Sequence, residues 1–203
     1  MLAKKTYELM KNKYGRVGSW AVWRLPSDTD TPKSNTSNMD WTNDKDLLSR
    51  LNTGFVFVGL NLSNHTTTPI PRNEFWTNFH SADTRKQHDF KLRFALIGTK
   101  YWGSYITDFI KNYPQVDSGK VIDYLRQNPD VVERNIKDFV AEISYLGNNP
   151  VLVALGNKVY GLLKKHLGRK FKVVKVKHYS CWIGKENYRK EVLGVLDKIP
   201  VDR

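Results

Sequence analysis

A short, continuously apolar run at residues 55–58 places the strongest constraint on the fold of this chain. Its four side chains, Phe-Val-Phe-Val, are aromatic or β-branched, which is typical of a strand buried on both faces of a sheet. The run stops at Gly59, where the missing side chain allows a tight turn and the close approach of a ligand. The sequence therefore predicts a central strand that ends at a binding site.

Three further strands are predicted, at residues 104–107, 151–155 and 171–176. Strands that alternate with helices indicate a parallel sheet covered by helices on both faces. We therefore expect an α/β fold, a three-layer α/β/α sandwich around a central, mainly parallel sheet of four strands. The predicted helices lie at residues 90–97, 120–126, 129–146, 157–165 and 186–198.

The first 50 residues are expected to extend this domain and to pack on it. Residues 6–14 favour a short helix and residues 20–23 a weak edge strand, whereas residues 26–44 have the composition of a polar surface loop. About 45 residues make too small a core to fold alone. The 203 residues are therefore expected to form a single domain, residues 1–203.

The charge of the chain indicates a polyanionic partner. Its formal net charge is +13, and such an excess attracts nucleic acid by Coulomb forces and counterion release. The lysines are spread along the chain instead of being concentrated on one amphipathic helix, so an anionic membrane is a poorer match. The other interpretation is a charged surface without a partner.

Cysteine usage and hydropathy limit the cofactors and the cellular locations that are compatible with the chain. The single cysteine, Cys181, excludes a disulfide within the chain and argues against a cysteine-held iron–sulfur cluster. The start lacks the apolar core of a secretory signal, and no stretch is long and apolar enough to span a bilayer. We expect a cytoplasmic monomer with no metal and no cofactor.

Polar residues cluster directly after each predicted strand. In parallel α/β sheets the ligand binds beyond the carboxyl ends of the strands. There, Asn61 offers an amide that can hold a water or a base edge, and His178 offers a proton donor that can stabilise a developing anion. The four clusters are Gly59-Leu60-Asn61-Leu62-Ser63, Thr107-Asp108, Gly156-Asn157 and His178-Tyr179-Ser180.

In order and spacing these clusters resemble the motifs of the uracil-DNA glycosylase superfamily. Residues 57–63 are similar to its first motif, in which a strand runs into Gly, any residue, Asp or Asn, and Pro. Residues 177–180 are similar to its His-Pro-Ser motif at the end of the last strand. Residues 103–110 resemble the strand that reads the extruded base, and 151–157 the strand after it. The resemblance extends over most of the chain.

The chain departs from the family pattern at three positions. Leu62 and Tyr179 replace the prolines of the two motifs, so both loops are expected to differ in shape. Asp108 stands where many relatives carry Asn. These departures keep open an alternative, a catalytically decayed DNA- or base-binding module of the same fold.

The resemblance implies a monofunctional DNA glycosylase that flips out a damaged or modified pyrimidine and hydrolyses its N-glycosidic bond, leaving an abasic site. Asn61 would position the attacking water, and His178 would hydrogen-bond O2 of the departing base. The predicted base-binding residues are Gly59, Leu60, Ser63, Trp76, Phe79, Asp108 and Asn157. The predicted DNA-binding residues are Ser180, Trp182 (as an apolar wedge in the duplex), Lys185 and Arg189.

Asp108 bears on the choice of base. An amide both donates and accepts, which suits uracil, whereas an ionised carboxylate only accepts. Asp108 should therefore prefer the exocyclic amine of a cytosine-type base, including one modified at C5. Such a base is compatible with DNA repair and with defence against foreign (phage) DNA, in double or single strands.

Each residue also has a simpler explanation. Asn61 can be a turn residue, His178 a solvated histidine, Asp108 a loop cap or lysine partner, and Trp182 a core side chain. An unrelated α/β hydrolase would need other motifs, and the sequence contains no GxxxxGK[ST], no HExxH and no zinc-type Cys/His spacing.

Overall fold

The computed structural model describes residues 2–23, 39, 41–62, 75–80, 89–147 and 149–200. Its centre is a sheet of five strands in the order β1-β3-β2-β4-β5. The four later strands are parallel to one another, and β1 pairs antiparallel with β3 at one edge. The strands are β1 (Gly18–Trp20), β2 (Asn52–Asn61), β3 (Ser104–Ile110), β4 (Val151–Leu155) and β5 (Val173–Val176).

The α/β prediction is confirmed, but the predicted number of four strands is wrong. The weak edge strand expected at residues 20–23 forms instead at Gly18–Trp20, where it pairs with the backbone of β3. All three residues of β1 are buried. The strand therefore has no exposed face, and its sequence lacks the alternation of polar and apolar side chains that is typical of an edge strand.

Seven α-helices accompany the sheet in the described part of the chain. The five helices predicted after the first 50 residues are present, as is the N-terminal one, whereas the single turn of α2 was not predicted. The helices are α1 (Lys4–Tyr14), α2 (Leu47–Arg50), α3 (Phe90–Leu96), α4 (Ser118–Gln127), α5 (Pro129–Ile143), α6 (Asn157–Leu167) and α7 (Lys185–Leu196).

Two apolar cores, one on each side of the sheet, give the three layers. On one side, Phe55 and Phe57 of β2 pack with α3 and α7, and we call this the α3/α7 face. On the other side, Val56 and Val58 pack with α1, α4, α5 and α6, and we call this the α5 face. The alternation follows from the two-residue period of a strand.

Parallel pairing between β2 and β3 sets Gly59 directly beside Asp108. Both follow the alternation that puts Phe57 and Ile106 on the α3/α7 face, at the carboxyl-terminal edge of the sheet. Among the described residues, no helix is both long and apolar enough to cross a membrane.

Candidate functional site

Gly59 touches two side chains at the carboxyl-terminal edge of the sheet. A Cβ atom at this position would overlap Oδ1 of Asp108 and would lie 3.3 Å from Cζ of Phe79. The absence of a side chain therefore lets a carboxylate and an aromatic ring meet over bare backbone. Three of the predicted base-binding residues thus form one cluster, which we call the Gly59 surface.

Asn78 holds this cluster together. Its Nδ2 donates to Oδ2 of Asp108 (3.1 Å) and to the carbonyl of Val17 (2.8 Å), and its Oδ1 accepts from the backbone N–H of Phe79 (3.1 Å). Phe79 has a left-handed backbone, with φ of 64°, which is strained for an aromatic residue by about 1 kcal/mol or more. Such strain persists only where surrounding contacts enforce it, and it is concentrated at functional sites.

The two oxygens of the Asp108 carboxylate have different surroundings. Oδ2 accepts from Asn78, whereas Oδ1 lies against Gly59 and accepts no hydrogen bond from any residue that the structure describes. The side chain is only 4% exposed. Burial raises the pKa of Asp108 to about 6, against the opposing effects of the Asn78 amide and the Lys111 ammonium. This carboxyl group therefore exchanges its proton near neutral pH.

A buried polar network on the α5 face fixes the strand that carries Asp108. Lys111 Nζ donates to the carbonyl of Asp108 and to Oγ1 of Thr107, both at 2.7 Å, and forms an ion pair with Glu142 (2.7 Å). Glu142 also accepts from Tyr105 and Thr107, each at 2.8 Å. Lys111 therefore contacts Asp108 through the backbone carbonyl, and its ion pair is with the carboxylate of Glu142.

His178 follows β5 and is oriented by Ser180. Nδ1 of His178 lies 2.7 Å from Oγ of Ser180 and 3.2 Å from its backbone nitrogen. A backbone N–H can only donate, so Nδ1 is the acceptor and the proton of the neutral ring lies on Nε2. Ser180 thus sets the tautomer of His178, the predicted proton donor. The predicted contact of Ser180 with DNA stays a prediction.

Tyr179 joins the site although the sequence marked it only as a departure from a motif. Its ring packs against that of His178, with centroids 4.2 Å apart and an angle of 30° between the ring planes. Burial, together with the nearby carboxylates of Asp108 and Asp89, raises the pKa of Tyr179 above its usual range, so the phenol stays neutral. In the sequence, its position directly after a candidate catalytic histidine is the feature that could have identified Tyr179 as a site residue.

Asn61, the predicted water-binding residue, ends β2. Its Nδ2 donates to the carbonyls of Tyr113 (3.0 Å), Gln115 (2.7 Å) and Leu62 (3.2 Å), so the amide group is fixed and the last bond matches the turn interpretation. Oδ1 accepts no hydrogen bond within the described part of the chain and can receive one from water. Only β4 separates β2 from β5, which sets the strands carrying Asn61 and His178 about 10 Å apart.

Other predicted base contacts lie elsewhere. Contrary to prediction, Trp76 and Leu60 are on the α5 face, where the 2% exposed ring of Trp76 packs within the core. Asn157 is on the surface and its Oδ1 accepts from Lys175 at 2.9 Å. Ser63 lies outside the described residues.

Trp182 is fully exposed at the tip of the loop after β5, with a relative exposure of 106%. The core interpretation of this residue is therefore wrong. Lys91 of α3, itself buried, donates from Nζ to the carbonyl of Cys181 at 2.8 Å and anchors the loop. An apolar side chain is thus held in solvent by a tethered loop.

The two predicted phosphate contacts on α7 differ in their surroundings. Lys185 is partly exposed, with Nζ 4.9 Å from the ring centre of Phe94. Arg189 donates from Nη1 to the carbonyls of Phe94, Ala95 and Ile97, and so caps the end of α3. Arg189 thereby joins α3 to α7, and its contact with DNA stays a prediction.

Comparisons with models of protein families, with curated proteins and with solved structures find no match to this chain. Within the described ranges, no group of three or more His, Cys, Asp or Glu side chains is placed to hold a metal ion.

Proposed function

We propose that this protein is a monofunctional DNA glycosylase that extrudes a pyrimidine nucleotide and hydrolyses its N-glycosidic bond. One observation carries the proposal: the buried carboxylate of Asp108 meets Gly59 and Phe79 at the sheet edge that also carries His178. The net charge of +13 and the resemblance of the strand-end motifs to the uracil-DNA glycosylase superfamily support it.

Base recognition takes place on the Gly59 surface. The flipped pyrimidine stacks on Phe79, and its edge reaches Oδ1 of Asp108. The ionised carboxylate accepts from the exocyclic amine of a cytosine-type base. With uracil, two acceptors would face each other, which costs about 1–3 kcal/mol. The proposed substrates are thus cytosine-type bases, including those modified at C5, in DNA repair or in defence against foreign modified DNA.

Bond cleavage then depends on His178 and Asn61. As the C1′–N1 bond breaks, its electron pair moves onto the base and negative charge builds on O2, which accepts from Nε2–H of His178. Such a preorganised donor is worth about 3 kcal/mol. A water held by Oδ1 of Asn61 adds its hydroxyl to C1′. The other proton of this water replaces the one that the departing base takes up, so the reaction consumes one water and releases the neutral base.

Trp182 supports extrusion from a duplex. A fully exposed indole on an anchored loop has the properties of a side chain that enters a base step. Lys185, on the helix that follows this loop, would contact a phosphate in place of Glu186, whose carboxylate lies 3.8 Å from its Nζ.

The test is a panel of single- and double-stranded oligonucleotides carrying uracil, mismatched thymine, cytosine or C5-modified cytosine, each followed by alkaline cleavage. We expect release of cytosine-type bases, and an approximately 100-fold slower release by His178→Ala. His166→Ala, on the exposed surface of α6, is the matched control and should behave like the wild type.

Two outcomes would contradict this proposal. Release of uracil but of no cytosine derivative at neutral pH would contradict the role of Asp108. Binding of DNA without release of any base would favour the second candidate, a binding module without catalysis, which the replacement of both motif prolines by Leu62 and Tyr179 supports.

A further inference from the structure

The two oxygens of Asp108 differ in where they can take up a proton. Oδ2 is an acceptor for Nδ2 of Asn78, whose amide is fixed because Nδ2 also donates to Val17. A proton on Oδ2 would oppose the Asn78 donor, so protonation falls on Oδ1. This is the oxygen that lies against Gly59, next to Phe79.

Protonation at Oδ1 reverses the hydrogen-bonding character of the Gly59 surface. The ionised oxygen only accepts, whereas the protonated one presents an O–H donor at the same place. Pyrimidines differ in the complementary way at C4, since cytosine-type bases carry an amine donor there and uracil-type bases a carbonyl acceptor.

We propose that the site processes two classes of pyrimidine, those with an amino group and those with a carbonyl group at C4, and that the proton on Oδ1 of Asp108 selects between them. This inference rests on the proposed glycosylase function and adds to it a second substrate class with its own pH dependence.

The groups around Asp108 keep this exchange near neutral pH. Lys111 favours the ionised form and Glu142 the protonated form, but these two are paired with each other. Asn78 favours the ionised form. Burial outweighs these effects and sets the pKa of Asp108 to about 6. Tyr179 is also close enough to Asp108 and Asp89 for their charges to raise its pKa, and the ring of His178 lies against that of Tyr179.

The test compares two substrates across pH, using single-stranded oligonucleotides of one sequence that carry either one uracil or one cytosine. The measured quantity is the ratio of the two kcat/KM values. Uracil release should fall, and cytosine release should rise, as the pH passes through about 6. The ratio should change about 100-fold between about pH 5 and pH 7. A change elsewhere in the site that affects both substrates equally cancels in the ratio.

Asp108→Asn separates the effect of the proton from that of the fold. The amide cannot ionise, and rotation lets it donate to O4, so the variant should prefer uracil with a ratio that does not change with pH. Asp123→Asn, which alters an exposed carboxylate on α4, should keep the pH dependence of the wild type. Circular dichroism at each pH checks that all three proteins remain folded.

The outcomes distinguish this inference from the function on which it rests. Release of cytosine with a ratio to uracil that does not change with pH would overturn the selection by Asp108 and leave the glycosylase function intact. If the folded wild type released neither base at any pH, the glycosylase function itself would fall, and the second substrate class with it.

Discussion

The buried ammonium of Lys91 donates a 2.8 Å hydrogen bond to the carbonyl oxygen of Cys181 and thereby ties α3 to the loop that presents Trp182. A hydrogen bond from a charged donor contributes about 1.5–3 kcal/mol. The position of the exposed indole therefore depends on a residue in a different helix.

Lys91→Met should keep the packing of the side chain and remove this hydrogen bond. We expect the Kd for duplex DNA, measured by fluorescence anisotropy, to rise about tenfold because the loop is no longer held in one position. Lys165→Met on the exposed side of α6 serves as the control for the lost charge. Equal Kd values for the two variants would show that the anchor does not contribute to binding.

Trp182→Ala should separate extrusion from cleavage. Because the side chain is fully exposed, its removal should leave Tm unchanged. Base release from duplex DNA should slow by about tenfold or more, whereas release from a single strand, which needs no unstacking from a duplex, should change little. Leu9→Ala, another exposed apolar side chain, is the control. An equal loss on both kinds of DNA would argue against a wedge.

Gly59→Ala should close the surface on which the base is proposed to bind. The new methyl group would overlap Oδ1 of Asp108 and press on Phe79, so base release should fall about 100-fold or more. Gly161→Ala is the matched control, because nothing lies within 4 Å of a Cβ there and the helix should gain about 0.5–1 kcal/mol of stability. Full activity of Gly59→Ala would place the base elsewhere.

Ser180→Ala tests whether Ser180 orients His178. It removes the hydroxyl 2.7 Å from Nδ1 but keeps the backbone N–H, so we expect kcat to fall several-fold to about tenfold, with KM nearly unchanged. Ser180→Thr, which restores a hydroxyl, should recover most of the rate. A rise in KM with kcat unchanged would indicate that Ser180 binds DNA.

The sequence predicted where the strands lie because a buried parallel strand has a distinct composition, as residues 55–58 illustrate. It did not predict where they end, since β2 continues through Gly59 to Asn61 and β3 continues through Asp108 to Ile110. It could not separate Trp76 from Phe79, which are three positions apart and lie on opposite faces of the sheet. That difference depends on the path of residues 75–80 and on the left-handed backbone at both aromatic residues. The hydrogen bonds of Arg189 could not be predicted for a related reason, since only the packing of α3 on α7 brings its guanidinium to helix carbonyls.

Asp108 should also destabilise the folded protein at neutral and alkaline pH. Burial raises the pKa of Asp108 from its usual 3.8 to about 6, so the folded state binds this proton more tightly than the unfolded chain. The resulting stabilisation is complete below about pH 4 and is lost as the pH rises through about 6. A difference of about two pKa units corresponds to about 3 kcal/mol. Asp108→Asn should therefore be more stable than the wild type at about pH 8, by up to that amount, and equally stable near pH 4. Urea unfolding at both pH values measures this, and a difference that is the same at both would show that ionisation of Asp108 is not its cause.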